Sequence, residues 1–235
     1  MTSADMLTAL KDRLLGNYGL SDPTLYRYLT RAQRYAENNT KITFEAAVPI
    51  KTTSGDGTFD LSSAAVIQLR AHPSTSTAYT VLTVDRVHYY NVEKIVPVNY
   101  AEIRANRQIS GSQTGYPEKF SFRNVGSALG GTPTLDLWPH VIHTETSLAT
   151  AKLAVDVTWR TTDISALVAP ATPAYSHDFI WLWAAYCILA EGRAPGLAAG
   201  LHNANLNGEA DKAFKVMRNT SNNQSSGRLK LGLLQ

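Results

Sequence analysis

Thr40-Lys41-Ile42-Thr43-Phe44-Glu45-Ala46-Ala47-Val48-Pro49-Ile50 is the stretch on which the fold turns. Before it, apolar residues recur every three to four positions. Through it, Ile42, Phe44, Ala46, Val48 and Ile50 fall on every second position, with Lys41, Thr43 and Glu45 between them. A period of two places alternate side chains on opposite faces of an extended chain, so a half-buried strand is predicted directly after a helical region.

Working back from this strand, two amphipathic helices are predicted. Ser3 is the expected cap of the first, whose Met6, Leu7, Leu10 and Leu14 share one face before Gly16 and Gly19 break it. Asp22 as cap and Pro23 at the first helical position start the second. Leu25, Leu29, Ala32 and Ala36 form its apolar stripe, and Asn38-Asn39 end it. Arg27, Arg31 and Arg34 recur at helical spacing on the other side, a basic stripe facing solvent, a partner or a lumen.

Working forward, Ser54-Gly55-Asp56-Gly57 is a turn leading to a short strand at Thr58–Leu61. Further strands are predicted at Val66–Arg70, Tyr79–Val84, Lys119–Asn124, Thr134–Trp138 and Leu153–Trp159, with turn-rich loops between them. Asp85 to Arg107 is open between strand and a short helix around Asn99–Asn106. Many short strands with punctuating turns point to an antiparallel sandwich or barrel-like domain.

Pro170 and Pro173 close the strand region, and a helix from about Tyr175 to Glu191 follows. It is apolar nearly all round and needs cover on every side. Phe179, Leu182, Trp183 and Tyr186 are therefore expected in a bundle core or in a wall shared with a neighbouring subunit. Gly192 stops it. A last helix, Leu201–Arg218, buries Leu206, Ala210, Phe214 and Met217. From Asn219 to Gln235 the chain reads as an extended Ser/Asn-rich arm tipped by Leu229, Leu231, Leu233 and Leu234 beside Arg228 and Lys230. Leucines on such an arm fit pockets on a partner, and the two cations fit its acidic rims. The predicted class is thus α+β. Residues 1–40 and 170–218 form a helical bundle, 41–169 form an inserted β domain, and 219–235 form a docking arm.

Composition narrows the function. A chain of 235 residues can bury a sizeable core. Its net charge of +3 lacks the clustered Lys/Arg excess of a dedicated nucleic-acid binder. The single cysteine, Cys187, sits in an apolar helical run, so no internal disulfide is expected and a reducing compartment suffices. The N-terminus lacks the pattern of a signal peptide, and Phe179–Ala190 is too short to span a bilayer, so a soluble chain without membrane contact is expected. His140, His143 and Glu145 give an H-x-x-H with a nearby carboxylate, but outside a helix this spacing does not align two imidazoles for a metal. Gly126–Gly131 lacks the Lys-Ser/Thr of a phosphate loop, and no serine sits in a nucleophile elbow. No cofactor and no catalytic residue is expected.

The order of elements resembles the head-to-tail adaptor (connector, or head-completion) proteins of tailed bacteriophages. The resemblance rests on two N-terminal helices leading into the alternating strand Lys41–Ile50, then the short strand Phe59-Asp60-Leu61. It continues through the proline-marked Gly115–Phe122, the strand Leu135-Asp136-Leu137-Trp138-Pro139, the strand-plus-turn Val155–Asp163, and the alanine-rich helix Tyr175–Glu191. Two stretches depart from the family layout: Asp85–Ser112 is long, and the final helix is rich in Asn and Gly. The resemblance implies a non-enzymatic virion protein. It implies a ring, commonly a dodecamer, wedged between the portal protein and a tail or nozzle protein and threaded by the genomic DNA, with assembly in the host cytoplasm. It also implies that the C-terminal arm reaches the portal. Two other readings stand beside it: a tail-completion or neck subunit further from the portal, and a carbohydrate- or protein-binding β module. For the module, Tyr89, Tyr90, Tyr100 and Tyr116 are the candidate contact residues.

Overall fold

A computed structural model describes the chain except residues 16–18, 64–65, 70–78, 91, 93, 126–130, 169–171, 195–198 and 232–235. The fold is α+β, with helices at both ends and strands between them. Two compact units are present. One joins Met1–Thr43 to Thr161–Gly227, and the other is built on Phe44–Arg160.

The first unit is helical. Helix α1 (Ser3–Arg13) is capped by Thr2, not Ser3: Thr2 accepts from the Asp5 N–H while the Asp5 carboxylate accepts from the Thr2 N–H. This reciprocal box satisfies two orphan donors, which Ser3 could not do because Met6 lies three residues on. Helix α2 (Asp22–Asn39) likewise begins one residue earlier than expected, with Ser21 at the cap and Pro23 in the first turn. Helix α4 (His177–Ala190) buries Phe179, Ile180, Leu182, Ala184, Ala185 and Ile188 against Met6, Leu10, Leu25 and Leu29. Leu206, Ala210 and Met217 of α5 (Ala199–Leu231) complete that core.

Helix α5 runs on through Asn219 to Leu231, where an extended arm was expected. Ser and Asn are only weakly unfavourable within a helix, and extending an existing helix fixes one residue per hydrogen bond without a new nucleus. A composition unable to nucleate a helix can therefore prolong one.

A polar knot ties α2 to the chain at 161–163. Gln33 Nε2 donates to the Thr162 carbonyl at 3.0 Å, and Thr161 donates to the buried Glu37 carboxylate. Arg34 bridges Glu37 at 2.6 Å and the Thr161 carbonyl at 2.8 Å. The Gln33 amide nitrogen, the Glu37 carboxylate and the Thr161 hydroxyl are paired within the knot, as low-dielectric surroundings favour, whereas Gln33 Oε1 and the Thr162 hydroxyl are buried without a partner.

Among the described residues, the second unit holds nine strands: β1 (Phe44–Ile50), β2 (Thr58–Asp60), β3 (Tyr79–Tyr89), β4 (Val96–Pro97), β5 (Thr114–Gly115), β6 (Lys119–Val125), β7 (Thr132–Trp138), β8 (His140–Val141) and β9 (Leu153–Thr161), whose final Thr161 falls in the first unit. They form sheets of order β1-β9-β3, β2-β7-β6-β4 and β5-β8. The longer pairings β1–β9 and β6–β7 are antiparallel as expected, but β4–β6 and β5–β8 are parallel. The expected strand at Val66–Arg70 is only a bridge between Ile50 and Ile67, and Arg70 lies outside the described residues. Helix α3 (Tyr100–Ser110), capped by the Asn99 side chain, settles the open stretch.

The deciding strand carries a bulge. Its register shifts between Glu45 and Val48, Ala47 adopts φ 51°, and the Ala47 N–H donates to Asp156 at 2.8 Å. An inserted residue reverses the alternation. Val48 and Ile50 consequently face the core as predicted, whereas on the other side of the bulge Glu45 is buried and Phe44 is not.

Candidate assembly surfaces

The three arginines of α2 meet different fates. Arg34 is part of the polar knot and also pairs with Asp163. Arg31 Nη1 lies 2.5 Å from Glu191 Oε1 at the end of α4, and Tyr28 donates to the other Glu191 oxygen at 2.5 Å. These two hydrogen bonds hold the Glu191 carboxyl below its ordinary value. Burial, with Glu191 as neighbour, pushes the Tyr28 hydroxyl up. Arg27 is exposed. The stripe read from helical spacing is therefore mostly consumed in holding α2 to α4 and to the 161–163 segment, and Arg27 is its outward member.

Helix α4 is not covered all round. Phe179 and Leu182 are buried, but Trp183 and Tyr186 are half-exposed. Trp183 stacks on Tyr35 of α2 at 4.6 Å between ring centroids and packs on Phe179 at 5.8 Å and Tyr186 at 5.2 Å. Phe214 of α5 closes on Phe179 at 5.3 Å. A shallow pocket of about 410 Å³ opens there, bounded on the α5 side by Asn207, Gly208 and Asp211. Large aromatics left half in water are the residues that protein interfaces favour.

A second opening lies beside Arg27. A groove of about 660 Å³ runs between the first turns of α2, at Asp22, Pro23, Tyr26 and Thr30, and the turn Asp163–Leu167. Its lining is largely apolar. The turn is firmly rooted: Ile164 is buried, its N–H donates to Thr30 Oγ1 at 3.1 Å, and Ser165 and Val168 exchange backbone hydrogen bonds at 3.3 and 3.2 Å. At its tip Leu167 is 97 % exposed. Sequence reading passed over this turn; the apolar run Ala166-Leu167-Val168-Ala169 in the connection ahead of Pro170 was the available signal.

Arg228, Leu229, Lys230 and Leu231 fall on the last turn of α5, while Leu233 and Leu234 lie outside the described residues. In the second unit three of the four candidate tyrosines, Tyr89, Tyr90 and Tyr116, gather around His143, and Tyr100 lies apart. Tyr89 is buried, Tyr100 lies under the Arg123 guanidinium at 3.8 Å, and Tyr90 and Tyr116 are exposed around His143. His140 Nδ1 sits 2.9 Å from the Gly55 carbonyl. His140, His143 and Glu145 are not brought together as a metal set, and no such cluster occurs among the described residues. The strongest charge cluster is structural: Asp136, fully buried on β7, receives Arg107 at 3.2 Å, Arg123 at 2.6 Å and Thr58 at 2.8 Å. No described helix is long and apolar enough to cross a membrane.

These features define a class: an α+β protein whose most distinctive surfaces are apolar, aromatic and suited to protein partners. The chain belongs to the SU10 adaptor protein family, which it matches over residues 1–230. It is thereby a bacteriophage adaptor, a structural component of virion assembly that works through other head and tail proteins. No curated protein matches it.

Proposed function

We propose that the chain forms a closed ring, a dodecamer, seated between the portal protein and a tail or nozzle protein, through which the genomic DNA passes. Family membership over residues 1–230 is the observation that carries this reading. The half-exposed Tyr35–Trp183–Tyr186 surface supports it, because a helix as apolar as α4 gains from burial against a neighbouring subunit. Residues 228–234 serve as the portal contact, with leucines filling pockets and Arg228 and Lys230 meeting acidic rims. Arg27, Arg31 and Arg34 leave little free positive charge on α2, since two of them are neutralised within the subunit. A weakly charged lumen would let DNA move without the steep phosphate grip of a cationic lining. Subunits fold in the host cytoplasm and are retained in the virion neck. Deleting Gly227–Gln235 tests the portal contact: the truncated protein should fold, losing only the helical signal of the last turn of α5 and keeping its melting temperature, yet fail to join DNA-filled heads. Attachment at normal affinity would refute the role given to these residues.

A further inference from the structure

The groove beside Arg27 and the exposed Leu167 belong to one surface, and their adjacency restricts what fits there. Leu167 is a preorganised apolar knob. Its turn is fixed by the Ser165–Val168 backbone pair and the Thr30–Ile164 hydrogen bond, so a partner meets it with little ordering left to do. Directly beside it lies an apolar groove with room for such a knob. A knob and a hole side by side on one face satisfy the condition for a two-fold contact, in which residue i meets j and j meets i. A head-to-tail contact is disfavoured, because knob and groove share one face, so a copy seated in the groove also covers the knob that a third copy would need.

Charge follows the same symmetry. Arg27 stands in the groove wall with Asp163 at the opposite lip; Asp163 already gives Oδ1 to Arg34, but its side chain is 74 % exposed and its second oxygen is open to another cation. A two-fold axis between two copies sets each Arg27 toward the other copy's acidic lip, giving two crossed pairs. We propose that the free subunit associates with a second copy of itself through this patch, Leu167 of each copy filling the groove of the other. The contact is separate from the ring and portal contacts above, and it would hold unassembled subunits in pairs.

Sedimentation equilibrium of the full chain tests this, with the folded state of each variant checked by circular dichroism. Wild type should show a concentration-dependent monomer–dimer equilibrium. Leu167→Asp, at a side chain 97 % exposed and hence harmless to the fold, should weaken it by at least about a hundredfold, because the loss is felt twice. Ile109→Asp, at an equally outward apolar residue of α3 that is 83 % exposed, should leave it unchanged. Arg27→Glu should weaken it and reduce its salt dependence. In a Pro23→Cys/Leu167→Cys variant, oxidation should give covalent species that stop at two copies. A wild type that is monomeric throughout, a Leu167→Asp variant that associates normally, or covalent ladders beyond two copies would each overturn the proposal. None of these outcomes bears on whether the chain joins a portal, so the ring reading stands or falls separately.

Discussion

Asp136 is the residue whose removal should most damage the β unit. Its carboxylate is fully buried and accepts from Thr58 Oγ1 at 2.8 Å, Arg107 Nη1 at 3.2 Å and Arg123 Nε at 2.6 Å. Arg107 belongs to α3 and Arg123 to β6, so one acid fastens a helix and two strands. Breaking a buried pair by deleting one partner costs about 3–5 kcal/mol. Two features lower that here. Arg107 keeps the Gly57 carbonyl at 2.6 Å, and the two arginine side chains are 24 % and 30 % exposed, so water can reach them. We expect Asp136→Ala to cost about 3 kcal/mol and Asp136→Asn, which retains an acceptor, about 2 kcal/mol. The four tryptophans divide evenly, Trp138 and Trp159 in the β unit and Trp181 and Trp183 in the helical one. Urea titration followed by fluorescence in a Trp181→Phe/Trp183→Phe background therefore reads the β unit alone. Replacing the triad together, Asp136→Leu with Arg107→Met and Arg123→Met, should recover most of the loss, since the strength of a buried pair is largely offset by its desolvation. A change below about 1 kcal/mol for Asp136→Ala would refute the assignment of Asp136 as the anchor of α3.

Leu182→Ala should destabilise the helical unit by about 2–5 kcal/mol, whereas Trp183→Ala, at a half-exposed site, should cost less in the free subunit and more in assembled particles; equal thermal shifts for both would contradict the packing described. His177, buried with Nε2 2.9 Å from the Thr172 carbonyl, has its pKa lowered from 6.5 chiefly by burial. The unfolded chain therefore takes up a proton below pH 6.5 that the folded chain refuses, so stability is complete above 6.5 and falls as the pH drops toward the folded value, by up to about 1.4 kcal/mol per unit. His177→Gln should flatten that slope in pH-dependent melts, and an unchanged slope would assign it elsewhere. Ala47→Gly, ordinarily harmful in a strand, should be neutral or stabilising by up to about 1 kcal/mol, because φ 51° strains a side chain more than glycine's extra freedom costs; a loss of about 1 kcal/mol would show that the bulge is unstrained.

Periodicity made the broad architecture readable. The switch at Thr40 from helical spacing to alternation located β1, and the proline pair followed by an apolar run located α4. Where the reading faltered, the competing effect was local and specific. An inserted residue at Ala46-Ala47 turned Glu45 inward, which alternation alone does not reveal. Capping at Thr2 depended on a reciprocal hydrogen bond with Asp5, not on Ser3's equal aptitude as a cap. The parallel pairings β4–β6 and β5–β8 depend on β4, β5 and β8, two-residue strands too short to leave a period. The arginine stripe was visible as spacing, but Glu191 and Asp163, which engage two of its members, come from some 130 to 160 residues further on. Leu167 stood out only once its neighbours were placed around it.

The central claim is that this adaptor seats on a portal ring in fixed number. Mass photometry of purified portal rings titrated with the full chain measures that directly. The account predicts a saturating increment equal to a whole number of 25.6 kDa subunits, twelve for a dodecamer, lost on deletion of Gly227–Gln235. A portal mass unchanged at saturating concentration, with the chain folded, would contradict it.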